Sequence, residues 1–311
     1  MDVPPPVVTV DLSIGERIGQ HYILLSQIGA GSFGAIFSVK YECDNVKKKL
    51  ALKFEEGIRQ FTFLHNEIVV LKSLAGIKHF AKYYQQGVHK NYRYIVMELL
   101  GPSLIEVVNR QKPYKFTLSQ TLKFGIQGIE SLASIHAKGF VHRDVKPGNF
   151  VIGNTVETSG IFYLIDFGLC KRLQVKNGVV IKPPQNGNFR GTMRYASIQA
   201  HKKEELGRND DLMSLFYIMI EFYVGKLPWL DVFDRDEVLR LKENFRSSHL
   251  LINRLPKQFL EIERYITDLN YIDEPDYEKI KQMIRQIANQ KKIDLDQNLE
   301  WENELGNGRK T

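Results

Sequence analysis

The sequence predicts an α+β protein with a small β-rich N-terminal lobe and a larger, mainly helical C-terminal lobe. At 311 residues the chain exceeds one average domain and suits two lobes that share one function. Its first third carries alternating, β-rich stretches such as Ile36-Phe37-Ser38-Val39-Lys40-Tyr41. Past about residue 102 the apolar spacing changes to threes and fours, as in Leu118, Leu122, Ile126, Ile129, Leu132 and Ile135. These signals divide the chain into a leader (1–20), a small lobe (21–97), a crossing (98–101), a large lobe (102–302) and a tail (303–311).

Taken in order, Tyr22–Gln27 and Phe37–Tyr41 read as strands around a glycine-rich run, Ile28, Gly29, Ala30, Gly31, Ser32, Phe33, Gly34, Ala35 and Ile36. A dinucleotide-binding fold shares the GxGxxG spacing but would put a helix directly after the glycines. The β-rich continuation points instead to a hairpin folding over phosphates, whose oxygens backbone N–H groups can approach closely at glycine. Ala51-Leu52-Lys53 ends the next strand-like run, and Lys47-Lys48-Lys49 is expected at a solvated hairpin tip. Phe63–Leu71 is helical and carries Glu67. Met97-Glu98-Leu99-Leu100-Gly101 reads as the crossing, with backbone groups available to an adenine edge. Thr117-Leu118-Ser119-Gln120 is a capping box opening a long helix that leads to His142. Short strands are expected near Phe150–Ile152 and Phe162–Ile165. Further helices follow near Asp210–Val224, Asp234–Arg246, Lys257–Leu269 and Asp276–Asn289. The apolar run Leu212–Val224 is interrupted by Glu221 and too short to span a bilayer, so it reads as a buried helix.

The chemistry concentrates in His142-Arg143-Asp144-Val145-Lys146-Pro147-Gly148-Asn149 and in Asp166-Phe167-Gly168. Phosphoryl transfer asks a protein mainly for positioning and charge neutralisation. Asp144 can accept the proton of an attacking hydroxyl, and Lys146 can meet charge on the phosphoryl group in flight. Asn149 and Asp166 offer the hard oxygen ligands that Mg²⁺ prefers. Lys53 is a cation able to meet phosphate charge, and Glu67 in the next helical stretch can pair with it. Each residue alone has an ordinary reading as a surface charge or turn residue. Their order along the chain overturns those readings.

These motifs resemble the catalytic core of a protein kinase. The resemblance implies a bilobal protein-kinase fold with ATP in the cleft. It also implies an ATP site formed by the nine residues of the glycine run with Ala51, Lys53, Glu67, Met97, Glu98, Leu99 and Asp166. Lys146, two residues after Asp144, and Thr192 mark serine/threonine kinases rather than tyrosine kinases. Gly191-Thr192-Met193-Arg194-Tyr195-Ala196-Ser197-Ile198-Gln199 is similar to the casein kinase 1 superfamily, where Ser-Ile-Asn replaces the common Ala-Pro-Glu. The runs Gly207–Tyr217 and Gly225-Lys226-Leu227-Pro228-Trp229, with Pro183–Asn186, Pro275-Asp276-Tyr277 and Trp301, look closest to its tau-tubulin kinase branch. Gln199, Met213 and Glu98–Leu104 depart from that branch. From the resemblance, Asp211 is expected to brace the catalytic loop, and Arg194 to belong to an anion site.

Net charge is +7 and unevenly spread. Phe167–Lys203 holds no Asp or Glu but has Lys171, Arg172, Lys176, Lys182, Arg190, Arg194, Lys202 and Lys203. Such a strip attracts acidic or phosphorylated peptides, with Arg190 and Arg194 as the residues to read a phosphate. The competing reading is a solvated loop whose charges meet carboxylates elsewhere in the chain. Between Asp166 and Gly191 there is no Ser, Thr or Tyr, so activity without activation-loop phosphorylation is expected. Intact Lys53, Glu67, Asp144, Lys146, Asn149 and Asp166 argue against a pseudokinase. The pI near 9.1 is unsupported by any zinc spacing, RNA motif or basic helical stripe, so nucleic acid is not an expected partner. Two cysteines far apart and no signal-peptide pattern favour a reduced, intracellular setting, cytoplasmic rather than nuclear. The expected partners are protein substrates with Ser/Thr acceptors, cytoskeletal ones included. A monomer away from membranes is expected.

Overall fold

A computed structural model describes residues 10–31, 34–43, 46–57, 63–183, 189, 191–245 and 253–302. The chain forms two compact units. One runs through Gly101 and includes the short segment Asp166–Leu169; the other comprises Pro102–Ile165 and the chain from Cys170 onward.

The first unit is a six-stranded antiparallel sheet in the order β1-β2-β3-β4-β6-β5 with one helix. Its strands are β1 (Arg17–Ile18), β2 (Tyr22–Gly31), β3 (Gly34–Cys43), β4 (Val46–Glu56), β5 (Tyr83–His89) and β6 (Tyr92–Glu98); α1 spans Phe63–Ser73. One face is apolar because alternate residues converge on it: Leu24, Phe37, Val39, Leu52, Phe54 and Val96 are all buried. Part of the expected leader joins this core. Ile18 is fully buried, and Val10 and Leu12 pack against the same cluster.

Two details differ from the sequence reading. The Ala51–Lys53 run does not end at Lys53 but continues through Glu56. Lys47–Lys49 lie inside β4, opposite Glu42, Tyr41 and Lys40, rather than at a hairpin tip. The pairing of β4 with β6 ends at Leu50 opposite Glu98, so these lysines sit on a two-stranded extension and are exposed, with Lys48 Nζ 4.1 Å from the Tyr84 ring centre.

The second unit is mainly helical: α2 (Leu104–Arg110), α3 (Leu118–Ala137), α4 (Ile198–His201), α5 (Arg208–Val224), α6 (Arg235–Glu243), α7 (Lys257–Asp268) and α8 (Tyr277–Gln290). Short strands β7 (Phe140–Val141), β8 (Phe150–Ile152), β9 (Phe162–Leu164), β10 (Lys171–Arg172), β11 (Val175–Lys176) and β12 (Val179–Val180) pair in three ribbons. Thr117 caps α3 as its sequence foretells: its hydroxyl accepts from Gln120 N at 3.2 Å, and Gln120 Oε1 accepts from Thr117 N at 2.7 Å. Helix α3 packs on α5 and α8. Gly125 and Gly128 make room there, since a Cβ would fall 2.5 Å from Met219 and 2.7 Å from Leu215. Phe124 meets Phe150, Phe162 and Phe222, and Trp301 closes the cluster against Phe116 and Phe162. Among the described residues no helix is long and apolar enough to cross a membrane. Cys43 and Cys170 are not joined in a disulfide.

Candidate active site

In the first unit the glycine run forms the end of an antiparallel hairpin rather than the start of a helix. Gly29 faces Ile36, Ala30 faces Ala35 and Gly31 faces Gly34; Ser32 and Phe33 lie outside the described residues. Gly34 has no alternative residue. Its φ is +154°, and a Cβ there would sit 1.7 Å from Phe54 O on the neighbouring strand. Ile28 is half-exposed, while Ala35 and Ala51 are buried. Ala51 pairs with Met97, and Glu98 and Leu99 follow at the end of β6, partly exposed.

The ladder sets Lys53 opposite Ile36 and Ile95, pointing it along the sheet to two carboxylates. Lys53 Nζ lies 2.6 Å from Glu67 Oε2 and 2.9 Å from Asp166 Oδ1. Burial, the largest single influence, would lower the ammonium's pKa. The two carboxylates outweigh it, and the net shift is upward, so Lys53 stays charged. Helix α1 brings Glu67 there because its buried face repeats Leu64, Glu67, Val70 and Leu71. Two partners of α1 escaped sequence reasoning. Glu55 accepts from the N–H groups of Phe63 and Leu64 (3.2 and 3.1 Å), capping the helix from β4. Asn66 Nδ2 donates to Phe167 O and Gly168 O at 3.1 and 3.0 Å, tying α1 to the segment that carries Asp166. Asp166 itself has φ +67°, a left-handed conformation held by these neighbours.

In the second unit the loop after β7 is organised by Asp211 on α5. Its carboxylate accepts from His142 N at 2.6 Å, Arg143 N at 2.8 Å and meets His136 Nε2 at 2.9 Å. Burial alone would raise the pKa of this carboxyl, but the His136 and His142 bonds hold it below the ordinary value. Arg143, at φ +69°, is kept in its left-handed conformation by that clamp. Asp144 follows, buried, with both oxygens engaged. Lys146 Nζ donates to Oδ2 at 2.6 Å, and Thr192 Oγ1 donates to Oδ1 at 2.9 Å. Gly191 allows this approach: its φ is +94°, and a Cβ would lie 2.8 Å from Arg143 O. Asn149 Nδ2 donates to Asp144 O at 2.8 Å, leaving its amide oxygen as the group able to meet a cation.

No cluster of three or more His, Cys, Asp or Glu side chains stands ready for a metal among the described residues. Asn149 and Asp166 each carry a side-chain oxygen of the hard type that Mg²⁺ takes.

The basic strip looks different in three dimensions. Lys171 pairs with Glu205, Lys182 with Glu204 and Lys202 with Glu243. Arg194 Nη1 lies 3.5 Å from Glu221 Oε1, with its side chain 43% exposed. Arg190 lies outside the described residues. Half of the strip's eight cations therefore meet carboxylates of the same unit, as the competing reading of a charge-paired loop expects.

Residues 22–298 match the protein kinase domain family. A "probable serine/threonine-protein kinase" of Dictyostelium discoideum is 37% identical over 299 residues, 96% of this chain. The chain spans 60% of the length of that relative.

Proposed function

The chain belongs to the protein kinase family, and on that premise we propose that it transfers the γ-phosphoryl group of ATP to Ser or Thr of protein substrates. The observation that carries this reading is Asp144 with its carboxylate between Lys146 Nζ at 2.6 Å and the Thr192 hydroxyl at 2.9 Å. In this reading Asp144 accepts the acceptor's proton, and Lys146 turns from Asp144 to the phosphoryl oxygens as charge develops there. Thr192 holds Asp144 in one orientation. Lys53, fixed by Glu67, meets the α- and β-phosphates, while the backbone of Ile28–Ile36 covers them and Ala51, Met97, Glu98 and Leu99 receive the adenine. Asn149 and Asp166 each offer an oxygen to Mg²⁺, which neutralises phosphate charge when bound. Asp144→Asn tests the core of this: turnover on Ser/Thr peptides should fall about 10²–10⁴-fold. Unchanged turnover would remove Asp144 from the chemistry.

Finer assignments form part of the same reading. The segment Thr192–Gln199 and the run Gly207–Tyr217 support a place in the casein kinase 1 superfamily near the tau-tubulin kinase branch, cytoskeletal substrates included. The absence of Ser, Thr and Tyr between Asp166 and Gly191 supports activity without activation-loop phosphorylation. Acceptor sites of acidic or phosphorylated character are supported by Arg194, whose long pairing with Glu221 leaves its guanidinium accessible. Replacing Arg194 with Ala should erase a preference for phosphorylated over plain peptides; a preference that survives would assign it elsewhere.

A further inference from the structure

Lys242, on α6, is 2% exposed. A lysine is rarely buried so fully, and when it is, a carboxylate usually accompanies it. Here none among the described residues lies within ion-pairing distance. Its Nζ instead donates to Met193 O at 2.8 Å and Ala196 O at 2.6 Å, and stands 3.1 Å from His201 Nε2. It also lies 5.2 Å from the ring centres of Tyr217 and Trp229. The groups facing it from the surrounding elements are His201 of α4, Tyr217 of α5 and Trp229 of the following loop. The nearby Arg235 guanidinium donates to His201 O at 3.0 Å. Burial pushes the Lys242 ammonium down to about 6 and His201 to about 4, with the latter further lowered by Lys242 and Arg235.

The carbonyls that Lys242 holds belong to one turn. Tyr195 N and Ala196 N both donate to Thr192 O at 2.9 Å, folding residues 192–196 back on themselves. Of the turn's outward carbonyls, Lys242 takes those of Met193 and Ala196, and Trp229 Nε1 takes that of Arg194 at 2.8 Å. The Tyr195 hydroxyl donates to Glu221 Oε2 at 2.5 Å. At its start, Thr192 touches the Asp144 carboxylate. The backbone of this turn therefore flanks the point where an acceptor hydroxyl has to reach Asp144.

We propose that Lys242 is a positioning residue for the acceptor substrate, its buried amine holding the Met193–Ala196 turn in the shape that an incoming peptide meets beside Asp144. The assignment rests on the kinase reading and adds a residue far from the motifs to it. An amine suits the task where an apolar side chain would not, because two buried carbonyls on one turn need donors from a single point. A Lys242 that merely filled core space would be replaceable by methionine, which keeps the stem against Tyr217 and Trp229 and removes only the donors.

Lys242→Met decides between these, with two readouts. Amide hydrogen exchange of Tyr195 and Ala196, followed by mass spectrometry on the intact chain, should accelerate about 10-fold or more as the turn loosens. In steady-state assays with a Ser peptide, peptide KM should rise about 10-fold while KM for ATP stays within about twofold of wild type. Unchanged exchange in the turn together with unchanged peptide KM overturns the proposal, and so does a rise in both KM values alike. Should the methionine variant not fold, Lys242→Leu, which likewise removes the donors on a shorter stem, is measured in the same way. A wild-type chain that phosphorylates no peptide overturns the kinase reading instead. The exchange rates then still decide whether Lys242 holds the turn.

Discussion

Asp144 reaches its surroundings through two oxygens with different neighbours, and that difference defines what each neighbour does. Lys146 is partly exposed and its ammonium can swing to another anion, whereas the Thr192 hydroxyl comes from a turn fixed on several sides. A hydrogen bond to a charged group contributes about 1.5–3 kcal/mol. Thr192→Ala should therefore lower kcat/KM for a Ser peptide about 10–100-fold, and Thr192→Ser, which keeps the hydroxyl, should recover most of it. Equal losses in the two variants would point to the methyl group and its packing rather than to the hydroxyl. At this scale much was legible in sequence, because Asp144, Lys146 and Asn149 stand on one short loop whose spacing is local. The partners that arrive from a distance were not. Glu55 caps α1 from a neighbouring strand, and Glu221 receives Tyr195 and Arg194 from the far end of a helix. No spacing rule links such positions.

Helices α3, α5, α7 and α8 stand within a few residues of where their periodicity put them, since caps and apolar faces are written in adjacent residues. Helix α2 was not anticipated, although Ser103 and Glu106 form the same capping box as Thr117 and Gln120. The hairpin of β11 and β12 was likewise not anticipated, although Asn177-Gly178, both at positive φ as a type I′ turn requires, carries its signal. What no element announced was the burial of Lys242, because α6 carries charges on every side and its deep face depends on α4 and on the Tyr217 and Trp229 rings that meet it. That burial has a consequence for folding. An unfolded lysine titrates near 10.5, while Lys242 titrates near 6 in the folded chain. Between those values the unfolded state binds more protons, so this group makes stability rise with pH through the window and fall toward pH 6. One proton corresponds to at most about 1.4 kcal/mol per pH unit. Denaturant titrations at pH 6.5, 7.5 and 8.5 should show wild type gaining on Lys242→Met as pH rises. A constant difference across that range would mean the amine stays charged when buried.

Across the whole chain, the α+β class and the change from a β-rich first part to a helical second part were legible, because the apolar spacing is mainly two before about residue 102 and mainly three and four after it. Net charge was legible as a sum and misleading as a pattern: the acid-free strip Phe167–Lys203 finds Glu204, Glu205, Glu221 and Glu243 waiting in three dimensions. The strongest expectation at this scale is catalytic. Lys53 with its two carboxylates in one unit, and Asp144 with Lys146 and Thr192 in the other, are built without any hydroxyl-bearing residue between Asp166 and Gly191. The measurement that tests this most directly is phosphoamino-acid analysis of peptides labelled from [γ-³²P]ATP and Mg²⁺. The enzyme is phosphatase-treated wild type or Asp144→Asn, and the peptides differ only in a Ser, Thr or Tyr acceptor. The account predicts label on Ser and Thr, little on Tyr, and almost none with the variant. Label on none of the three, or equal label from both proteins, would contradict it.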